Sequence, residues 1–554
     1  MAAAAESAKT GVMTHRQILF VLIGLMSGMF LSALDQSVVG SAMRTIADDL
    51  NGLELQAWVT TAYLITSTIA TPIYGKLGDI FGRRQLFLWA ISIFILGSVA
   101  CGFVTGDPNG GGSGMYELAA FRAIQGIGAG GLFSLALTIL ADVVPPRDRA
   151  KYQGMFLAVF GTSSVLGPLI GGLFAGTDEI LFISGWRWVF LINIPIGAAA
   201  LYMVVHFLHI PHHPVKQKID WWGAFTIVVG VVPLLIVAEQ GRTWGWASSG
   251  SISMYVLGAL GIIAFVLIER QQKEAALLPL ALFKSRTFSL TTILGVIIGV
   301  GMFGGMMSLP LVLQIVYGAD PTQAGLLMLP MVLGLMTSSI VSGRITSSTG
   351  KYRIFMNVGT GLMLLSYIYL AQLQTSWAIW QISIGMVVLG LGLGQMMQTL
   401  TIATQNAVEA KDIGVATSSS TFFRQMGGSL GVAIFLSILF STISNKGGEI
   451  KDGLMAAIKA HPDLLAKPQN AILTQPGVDL TAKINSDSSF LNKISPEFSA
   501  PIKTAFAEAT SVVFTAAAIT VLVAFLLSWF IKEQELRKMS GMQERAEAAA
   551  SAAH

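Results

Sequence analysis

The sequence predicts an all-helical protein that crosses a membrane many times. Of its 554 residues, 53% are hydrophobic and only 12% are charged, which is about half the charged share of a soluble domain. The mean hydropathy is +0.68. Apolar stretches recur along the whole chain, and each is close to the roughly 20 residues that a membrane-spanning helix needs.

Fourteen such stretches are long enough to span. We predict them at residues 17–40, 56–75, 85–104, 116–141, 152–176, 187–208, 220–238, 252–269, 287–317, 322–343, 353–371, 377–405, 413–440 and 509–531. The first is too long for a cleaved signal peptide and should remain in the mature protein. An even number of spans places both termini on the same side of the membrane.

Lysine and arginine set the predicted orientation. If the N-terminus is cytoplasmic, 22 of these residues fall in cytoplasmic segments and four in the short external segments and outer helix ends. Seven more lie in the segment 442–508, which is too long for the positive-inside rule to apply. We therefore expect a multi-pass protein of the bacterial cytoplasmic membrane, with cytoplasmic tails at 1–16 and 532–554.

A carboxylate lies inside the first span. No ionisable residue occurs from Gln17 to Leu34, then Asp35 follows, and apolar character continues to Met43. An acid inside a membrane helix costs at least a few kcal/mol, so it usually faces a protein interior or water and has a function. The alternative is that the helix ends there and Asp35 lies among lipid headgroups. We favour a transporter in which Asp35 binds protons and senses substrate.

A glycine-rich, charged segment joins the second and third spans. It reads Gly75-Lys-Leu-Gly78-Asp79-Ile-Phe-Gly82-Arg83-Arg84. Glycines at this spacing let two helix ends turn tightly, and the acid and arginines can form a charge cluster. A weaker copy at 343–353 joins the tenth and eleventh spans, which indicates the internal repeats of secondary transporters. Ordinary positive-inside charge is the alternative.

This segment resembles the signature loop of the major facilitator superfamily, and the resemblance extends over about residues 17–440. Further motifs resemble the family's fourth-helix arginine motif, its fifth-helix antiporter motif and segments of its fourteen-span drug:proton antiporter branch. They are Arg122-Ala-Ile-Gln125-Gly126-Ile-Gly128-Ala-Gly130, Gly161-Thr-Ser-Ser-Val-Leu-Gly167-Pro168-Leu-Ile-Gly171-Gly172, Trp186 to Pro195, Asp220 to Gly223, Leu278 to Arg286, Ala324 to Pro330 and Phe423 to Gly428.

The resemblance implies the major facilitator fold. We expect a six-helix bundle at 17–210, two linker helices at 211–286, and a second six-helix bundle at 287–531 that contains an external loop at 442–508. That loop is polar with short apolar runs. It should contain some helix, or else be a disordered linker.

The resemblance also implies residue roles. Asp35 and Arg122 should couple protons to substrate, because both lie about 7–10 Å outside the midplane on helices that the family fold brings together. Burial favours the neutral acid and a nearby guanidinium favours the carboxylate, so the two effects compete. A structural ion pair or a carbonyl ligand is the alternative for Arg122.

Two further groups have predicted roles. The cytoplasmic gate comprises Gly75, Asp79, Gly82, Arg83 and Arg84, and the family implies that Asp79 and Arg83 hold it closed in one state. The antiporter-motif hinge comprises Gly161, Gly167, Pro168, Gly171 and Gly172. Small residues and a proline suit a kinked helix at a moving interface, although generic packing would also use them.

Candidate cavity residues are polar or flexible side chains within spans. They are Gln36, Gln125, Asn193, Met302, Phe303, Met306, Gln395, Gln398 and Arg424. Methionine suits surfaces that accept several ligands, but it is also a common filler of cores. Arg424 is a charge inside the thirteenth span and needs a partner.

The first helix departs from the family pattern at one position. Arg44 stands about nine residues after Asp35, where the branch usually has a proline. We therefore expect a straighter, more positive outer end for this helix.

Several functions are excluded or disfavoured. The chain lacks a phosphate-binding Gly-x-x-x-x-Gly-Lys-Ser/Thr motif, so an ATP-driven pump is not supported. The histidines at 206–213 lack Cys or acid partners, so we expect a solvated linker and no metal. Cys101 is the single cysteine, which excludes an internal disulfide. We predict no enzyme activity, no nucleic-acid partner and no cofactor beyond a proton gradient.

The function that we predict is proton-coupled antiport, by a monomer in contact with membrane lipids. The exported substrates would be hydrophobic or amphipathic small molecules, often cationic. Two alternatives remain: an exporter of a native lipid, siderophore or metabolite, and a non-transporting membrane sensor.

Overall fold

The structure is a computed structural model. It describes residues 15–52, 55–105, 113–208, 219–272, 275–465, 467–474 and 494–537, together with 491, 539, 540, 543, 544 and 547. The first fourteen residues, most of the histidine-rich segment after His206 and the centre of the segment 442–508 lie outside the described residues.

The described residues form fourteen long helices. They are α1 His15–Asp49, α2 Gln56–Phe81, α3 Arg83–Gly102, α4 Ser113–Val143, α5 Pro146–Ala175, α6 Gly185–Phe207, α7 Trp221–Trp244, α8 Ser249–Gln272, α9 Arg286–Ile315, α10 Thr322–Thr349, α11 Arg353–Leu370, α12 Ile379–Asn406, α13 Ile413–Asn445 and α14 Pro496–Ser528. A two-stranded hairpin, Glu179–Ile180 with Ile183–Ser184, precedes α6. Helix α6 itself contains a 3-10 turn and two helical pieces, and α10 contains two.

The all-helical polytopic fold is confirmed. Thirteen of these described helices are long and apolar enough to cross a membrane. The fourteenth, α2, is 26 residues long but rich in threonine, which lowers its mean hydropathy. Most helices extend beyond the predicted spans, because hydropathy detects only the part within hydrocarbon, while the helices continue into the headgroup region.

The helices are connected at two opposite ends of the molecule. We call the end that carries the turn between α2 and α3 the α2–α3 side, and the opposite end the α1–α2 side. The α2–α3 turn is tight because Gly82 has φ 96°, a backbone conformation that glycine adopts readily.

Helices α1–α6 form the first bundle. Its core consists of two clusters of buried, mostly aliphatic and aromatic side chains, and one of them contains Phe87 and Phe94 of α3 and Leu132 of α4. Helix α4 packs closely on both α2 and α3. A Cβ atom on Gly128 would lie 2.6 Å from the carbonyl oxygen of Ala90, so a side chain there would force α4 and α3 apart.

Helices α9–α14 form the second bundle. Its core includes Tyr367 of α11, Phe435 of α13 and Phe514 of α14, all fully or almost fully buried. Helix α9 packs on α13 and α14, while α12 packs on α10 and α11.

Helices α7 and α8 form an antiparallel pair beside the two bundles. Gly230 and Gly261 let their backbones approach, since a Cβ on Gly261 would lie 2.5 Å from the Gly230 nitrogen. An apolar cluster joins Val231 of α7 to Ile69 of α2 and Phe422 of α13. The linker pair therefore contacts one helix from each bundle.

The described parts of 442–508 are helical and packed. Helix Gly447–Ala460 buries Ile450 and Leu454 against Phe498 and Ile502 of the extended α14. Lys446 also pairs with Glu508.

The chain after α14 also packs. Ile531 and Leu536 are buried in the core of the second bundle, and Glu533 accepts a hydrogen bond of 2.9 Å from the backbone N–H of Tyr352. Residues 531–537 therefore cover the α2–α3 side of the second bundle, in a segment for which we expected a simple tail from 532 onward.

Candidate functional site

Asp35 lies at the centre of a buried polar cluster in the first bundle. Its side chain has no exposed area, and that of Arg122 is 1% exposed. The Nη1 atom of Arg122 lies 2.5 Å from Asp35 Oδ2. Gln125 Nε2 and Asn193 Nδ2 each donate to Asp35 Oδ1 at 2.8 Å. Residues from α4 and α6 thus surround one carboxylate of α1 with three donors.

Two further residues complete this cluster, and the sequence analysis missed both. The Ser98 hydroxyl of α3 accepts from Gln125 at 2.6 Å and from Asn193 at 3.2 Å, which orients both amides towards Asp35. The Tyr63 ring of α2 lies under the Arg122 guanidinium, 4.1 Å from ring centroid to Cζ. Such a cation–π contact contributes roughly 0.5–2 kcal/mol. Neutral Ser and Tyr in apolar helices give no signal in sequence alone.

Glycines allow these helices to come together. A Cβ on Gly97 would lie 2.8 Å from the Gln125 backbone, and one on Gly126 would lie 2.5 Å from the Tyr63 carbonyl oxygen. Replacing either glycine would separate α3 or α2 from α4. Gly97 of α3 and Gly126 of the arginine motif therefore position the charged cluster.

The antiporter-motif residues lie between α1 and the second bundle. A Cβ on Gly167 would overlap the Ser37 hydroxyl, and one on Gly171 would lie 2.6 Å from the Val38 carbonyl oxygen. Ser37 donates to the Ser163 carbonyl of α5 at 2.8 Å. This face of α5 is therefore held directly against α1, two residues beyond Asp35.

The opposite face of α5 contacts α10. A Cβ on Gly161 would overlap Val332, and Pro168 lies 3.3 Å from the Cβ position of Gly325. Gly172 is exposed, with Thr322 as its nearest neighbour at 3.5 Å from the Cβ position. Helix α5 thus contacts α1 on one face and α10 of the second bundle on the other.

The predicted gate residues form an ion-pair network on the α2–α3 side. Arg83 donates to Asp79 at 2.7 and 3.2 Å, and it also pairs with Asp142 at the end of α4. Arg84 instead donates to the Val205 carbonyl of α6 at 2.8 Å. Asp142 is 1% exposed and was absent from the predicted gate.

The gate also contacts the second bundle. A Cβ on Gly75 would overlap the Ser418 hydroxyl, and one on Gly414 would overlap the Asp79 carboxylate. The start of α13 therefore fits against the end of α2 with no room for a side chain at either glycine. Any separation of the bundles must open this contact.

Hydrogen bonds between the bundles lie on the same side or at mid-depth among the described residues. Arg149 Nη1 of α5 donates to Gln405 Oε1 of α12 at 2.6 Å, and Gln398 Nε2 donates to the Ala150 carbonyl at 2.7 Å. Gln398 therefore bridges bundles. Further bonds join Arg147 to the Ser347 and Ser348 carbonyls, Gln405 to Leu137, Ser347 to Asp148, and Thr71 to Gln425.

A second buried acidic group lies beside the gate. Glu269 of α8 accepts from the backbone N–H groups of Leu277 and Leu278 at 3.1 and 3.0 Å. Asp220 caps α7 by accepting from Gly223 at 2.7 Å, and its other oxygen is buried without a hydrogen-bond partner. Both carboxylates are at most 4% exposed. They were not among the predicted site residues.

The remaining candidate cavity residues do not form one cluster with Asp35. Gln36 is exposed on α1, and Met302 is in the core of the second bundle. Phe303 packs against Gly428, Met306 is partly buried beside the core, Gln395 is partly buried with Oε1 unpartnered, and Arg424 is 5% exposed. No group of three His, Cys, Asp or Glu in the described part of the chain is arranged to hold a metal ion.

Helix α1 continues without a break past Arg44 to Asp49. Arg44 is exposed and lies 4.0 Å from Asp48.

Two helical bundles joined by a linker pair, with a buried ion pair in the first bundle and close contacts between the bundles on the α2–α3 side, are the architecture of a membrane transporter. The sequence model of the Major Facilitator Superfamily matches residues 25–432. This chain belongs to that superfamily.

Two relatives from Bacillus subtilis (strain 168) have informative names. The chain is 32% identical to "Multidrug transporter protein MdtP", over 98% of both chains, and 36% identical to "Multidrug resistance protein 3", over 78% of this chain and 82% of that protein. Among solved structures, the proton:xylose symporter XylE bound to 6-bromo-6-deoxy-D-glucose has a TM-score of 0.58 at 14% identity, covering 96% of this chain and 99% of that one. That likeness concerns the fold. The relatives support a drug efflux transporter of this superfamily.

Proposed function

We propose that this protein is a proton-coupled antiporter that exports hydrophobic or amphipathic small molecules across the cytoplasmic membrane of a bacterium. The observation that carries the proposal is the buried Asp35 carboxylate with its three donors. Protons enter down their gradient as the substrate leaves, and no other cofactor is required.

The donors around Asp35 make it a switch. Arg122, Gln125 and Asn193 all donate to it, so the cluster is complete only while Asp35 is ionised. A buried ion pair is strongly destabilised when one partner loses its charge. Protonation of Asp35 would therefore release Arg122, which keeps Gln125 and the Tyr63 ring as partners.

This switch has a route to the interface between the bundles. Asp35 lies two residues from Ser37, which is bonded to Ser163 of α5, and α5 packs on α10. A small shift of α1 would therefore move α5 against the second bundle. Packed interfaces of this kind tend to have discrete arrangements, so small shifts at a site can become domain motion.

We further propose that the α2–α3 side is cytoplasmic, which agrees with the distribution of lysine and arginine. The described state is then closed towards the cytoplasm. In the cycle, substrate enters from the cytoplasm or inner leaflet and the site turns outward. Protonation of Asp35 from outside releases the substrate, and the proton leaves inside.

A cationic substrate would have to compete with Arg122 for Asp35, because both carboxylate oxygens are already bonded. Cation binding therefore requires Arg122 to move aside. Protonation of Asp35 would remove this attraction, which explains release on the side with more protons.

The test is export from proteoliposomes driven by an imposed pH gradient, with ethidium as substrate. Asp35→Asn should abolish gradient-driven export while the protein still inserts and folds. Asp48→Asn is the matched control, because Asp48 is an exposed acid near the end of the same helix. Normal export by Asp35→Asn at matched protein content would contradict the proposal.

A substrate panel separates the alternatives. Transport of lipids, siderophores or metabolites but not of drugs would favour the native-substrate exporter. Absence of any transport would favour the sensor.

A further inference from the structure

Arg424 is a buried cation without a protein counter-ion. It is 5% exposed, in the middle of α13, and it forms no ion pair or hydrogen bond through its guanidinium among the described residues. The neighbouring Gln425 is occupied, since it accepts from Thr71 of α2 at 3.3 Å. Arg424 therefore differs from Arg83, Arg122 and Arg149, each of which has bonded partners.

Contacts between α9 and α13 define the surroundings of Arg424. The Cβ position of Gly299 overlaps the Arg424 carbonyl, and that of Gly295 lies 4.0 Å from the Ser420 carbonyl. Gly299 is therefore in register with Arg424, and Gly295 is in register with Ser420 one turn away. Thr292 lies on the same face of α9, three residues before Gly295.

This region contains unused donors. The hydroxyls of Ser420 and Thr292 are buried without hydrogen-bond partners. The nearest atom to the Cβ position of Gly295 is 3.6 Å away, on Leu400 of α12, which is ordinary contact, whereas the Cβ position of Gly299 overlaps the Arg424 carbonyl. Ser420 lies one turn before Arg424 on the same face of α13, so its free hydroxyl is the unused donor nearest to Arg424 along that helix.

Leaving these groups unpaired is costly. A charge removed from water without a partner is strongly destabilising, and each buried unpaired hydroxyl adds to that cost. Asp35 cannot supply the missing negative charge, because Arg122 already pairs with it. The first-bundle cluster is therefore neutral overall, while Arg424 has no bonded counter-ion in the described part of the chain.

We propose that Arg424 and Ser420 bind the ionised acidic group, a carboxylate or phenolate, of an amphipathic exported compound. The inference rests on the proposed export function and specifies its substrate class. Arginine binds carboxylates with paired, charge-assisted hydrogen bonds, and hydroxyls add neutral donors. The Phe303 ring, which packs on Gly428 one turn from Arg424, and Leu400 offer apolar contacts for the rest of the molecule.

The test compares two dyes with a similar xanthene body and opposite charge. Fluorescein is anionic and rhodamine 6G is cationic, and binding of each to the purified full-length protein is followed by fluorescence anisotropy. Arg424→Gln should weaken fluorescein binding at least about tenfold, since a charge-assisted contact is lost. Its affinity for rhodamine 6G should stay within about twofold. Arg424→Lys should retain part of the fluorescein affinity.

Thermal unfolding in the same detergent checks for a structural role. Arg424→Gln should be as stable as the wild type or more stable, because it removes an uncompensated charge. Excess fluorescein should raise the Tm of the wild type but not of Arg424→Gln. A Tm far below that of the wild type, an equal loss for both dyes, or no fluorescein binding by the wild type would each overturn the proposal.

Comparing dye binding with dye export distinguishes failure of this inference from failure of the export function on which it rests. If the wild type exports rhodamine 6G under a pH gradient and Arg424→Gln binds fluorescein normally, the anion site is wrong and the export function stands. If fluorescein binding depends on Arg424 but neither dye is exported, the site stands as an anion site and its assignment to exported compounds is overturned. Displacement of fluorescein by phosphatidylglycerol but not by phosphatidylcholine would likewise assign the site to a lipid headgroup.

Discussion

At the scale of single residues, the central feature is a pair of opposite charges with almost no contact with solvent. Asp35 and Arg122 are each 1% exposed and are bonded at 2.5 Å. Their meeting could be expected from sequence, because both lie at a similar depth on helices one and four, which the fold of the family that the motifs resemble brings together. The supporting roles of Ser98 and Tyr63 could not be predicted from sequence. A neutral side chain in an apolar helix has the same sequence pattern whether it faces lipid or a carboxylate.

Removing one charge should cost more than removing both. Arg122→Gln leaves Asp35 buried without its counter-ion, so we expect a loss of about 3–5 kcal/mol in the free energy of unfolding. The double variant Asp35→Asn with Arg122→Gln should recover most of that stability, while pH-driven export stays absent. Thermal unfolding in detergent measures the first effect and proteoliposome export the second. Equal stability of the single and double variants would show that the charges are not coupled.

Residue type alone did not reveal which polar side chains face a ligand. Gln125 and Asn193 were candidates for a cavity, yet both donate to Asp35. Gln398 was another candidate, and it connects α12 to α5 and α10. The helical period shows which residues share a face of a helix. Only the packing of neighbouring helices determines which residues that face contacts.

At the scale of helices, close approach between α1 and α5 depends on missing side chains. Gly171→Ala should place a methyl group against the Val38 carbonyl, with an expected cost of about 1–3 kcal/mol and reduced export. Gly40→Ala is the matched control, because nothing lies within 4 Å of that Cβ position. It should be neutral or slightly stabilising. Equal effects of the two substitutions would mean that the α1–α5 contact is not critical.

The gate between α2 and α13 should control turnover more than binding. Asp79→Asn weakens the pair with Arg83 and the fit against Gly414, so it should slow transport with a smaller effect on substrate affinity. Glu409→Gln, an exposed acid before α13, serves as the control. Binding and export rates are measured on the same preparation. A binding defect as large as the transport defect would indicate a direct or folding role for Asp79.

The sequence predicted the loop glycines of this gate but only part of its charge network. Asp142 is far from the motif in sequence and reaches Arg83 through the packing of α4. The linker acids Asp220 and Glu269 were missed for a related reason. In the sequence, Asp220 has the pattern of a helix cap and Glu269 that of the polar end of a span. Only the folded structure shows that both are buried beside α2.

At the scale of the whole molecule, the class and the order of helices were accessible from sequence, because a lipid environment permits few structures other than long apolar helices. The packing of 447–460 on α14 and of 531–537 on the second bundle was not accessible. These segments are short and of mixed polarity, and their burial depends on surfaces formed by distant parts of the chain.

The proposed orientation can be tested with single cysteines in a Cys101→Ala background. Lys451→Cys, on the exposed face of helix 447–460, should react with a membrane-impermeant maleimide in intact spheroplasts. Ser348→Cys, at the α2–α3 side, should react only after permeabilisation. Ser486, in the same long segment as Lys451, lies outside the described residues. The reverse labelling pattern would invert the orientation and the direction of the proposed cycle.

Coupling between substrate and protons is the central claim, and proton movement caused by substrate tests it most directly. Proteoliposomes with the same pH inside and outside contain a trapped pH-sensitive dye. An ethidium gradient is then applied. For an antiporter, we expect substrate flow to move protons in the opposite direction in the wild type and in Asp48→Asn, and to move none in Asp35→Asn. Ethidium flow without proton movement in the wild type, or unchanged proton movement in Asp35→Asn, would contradict the account.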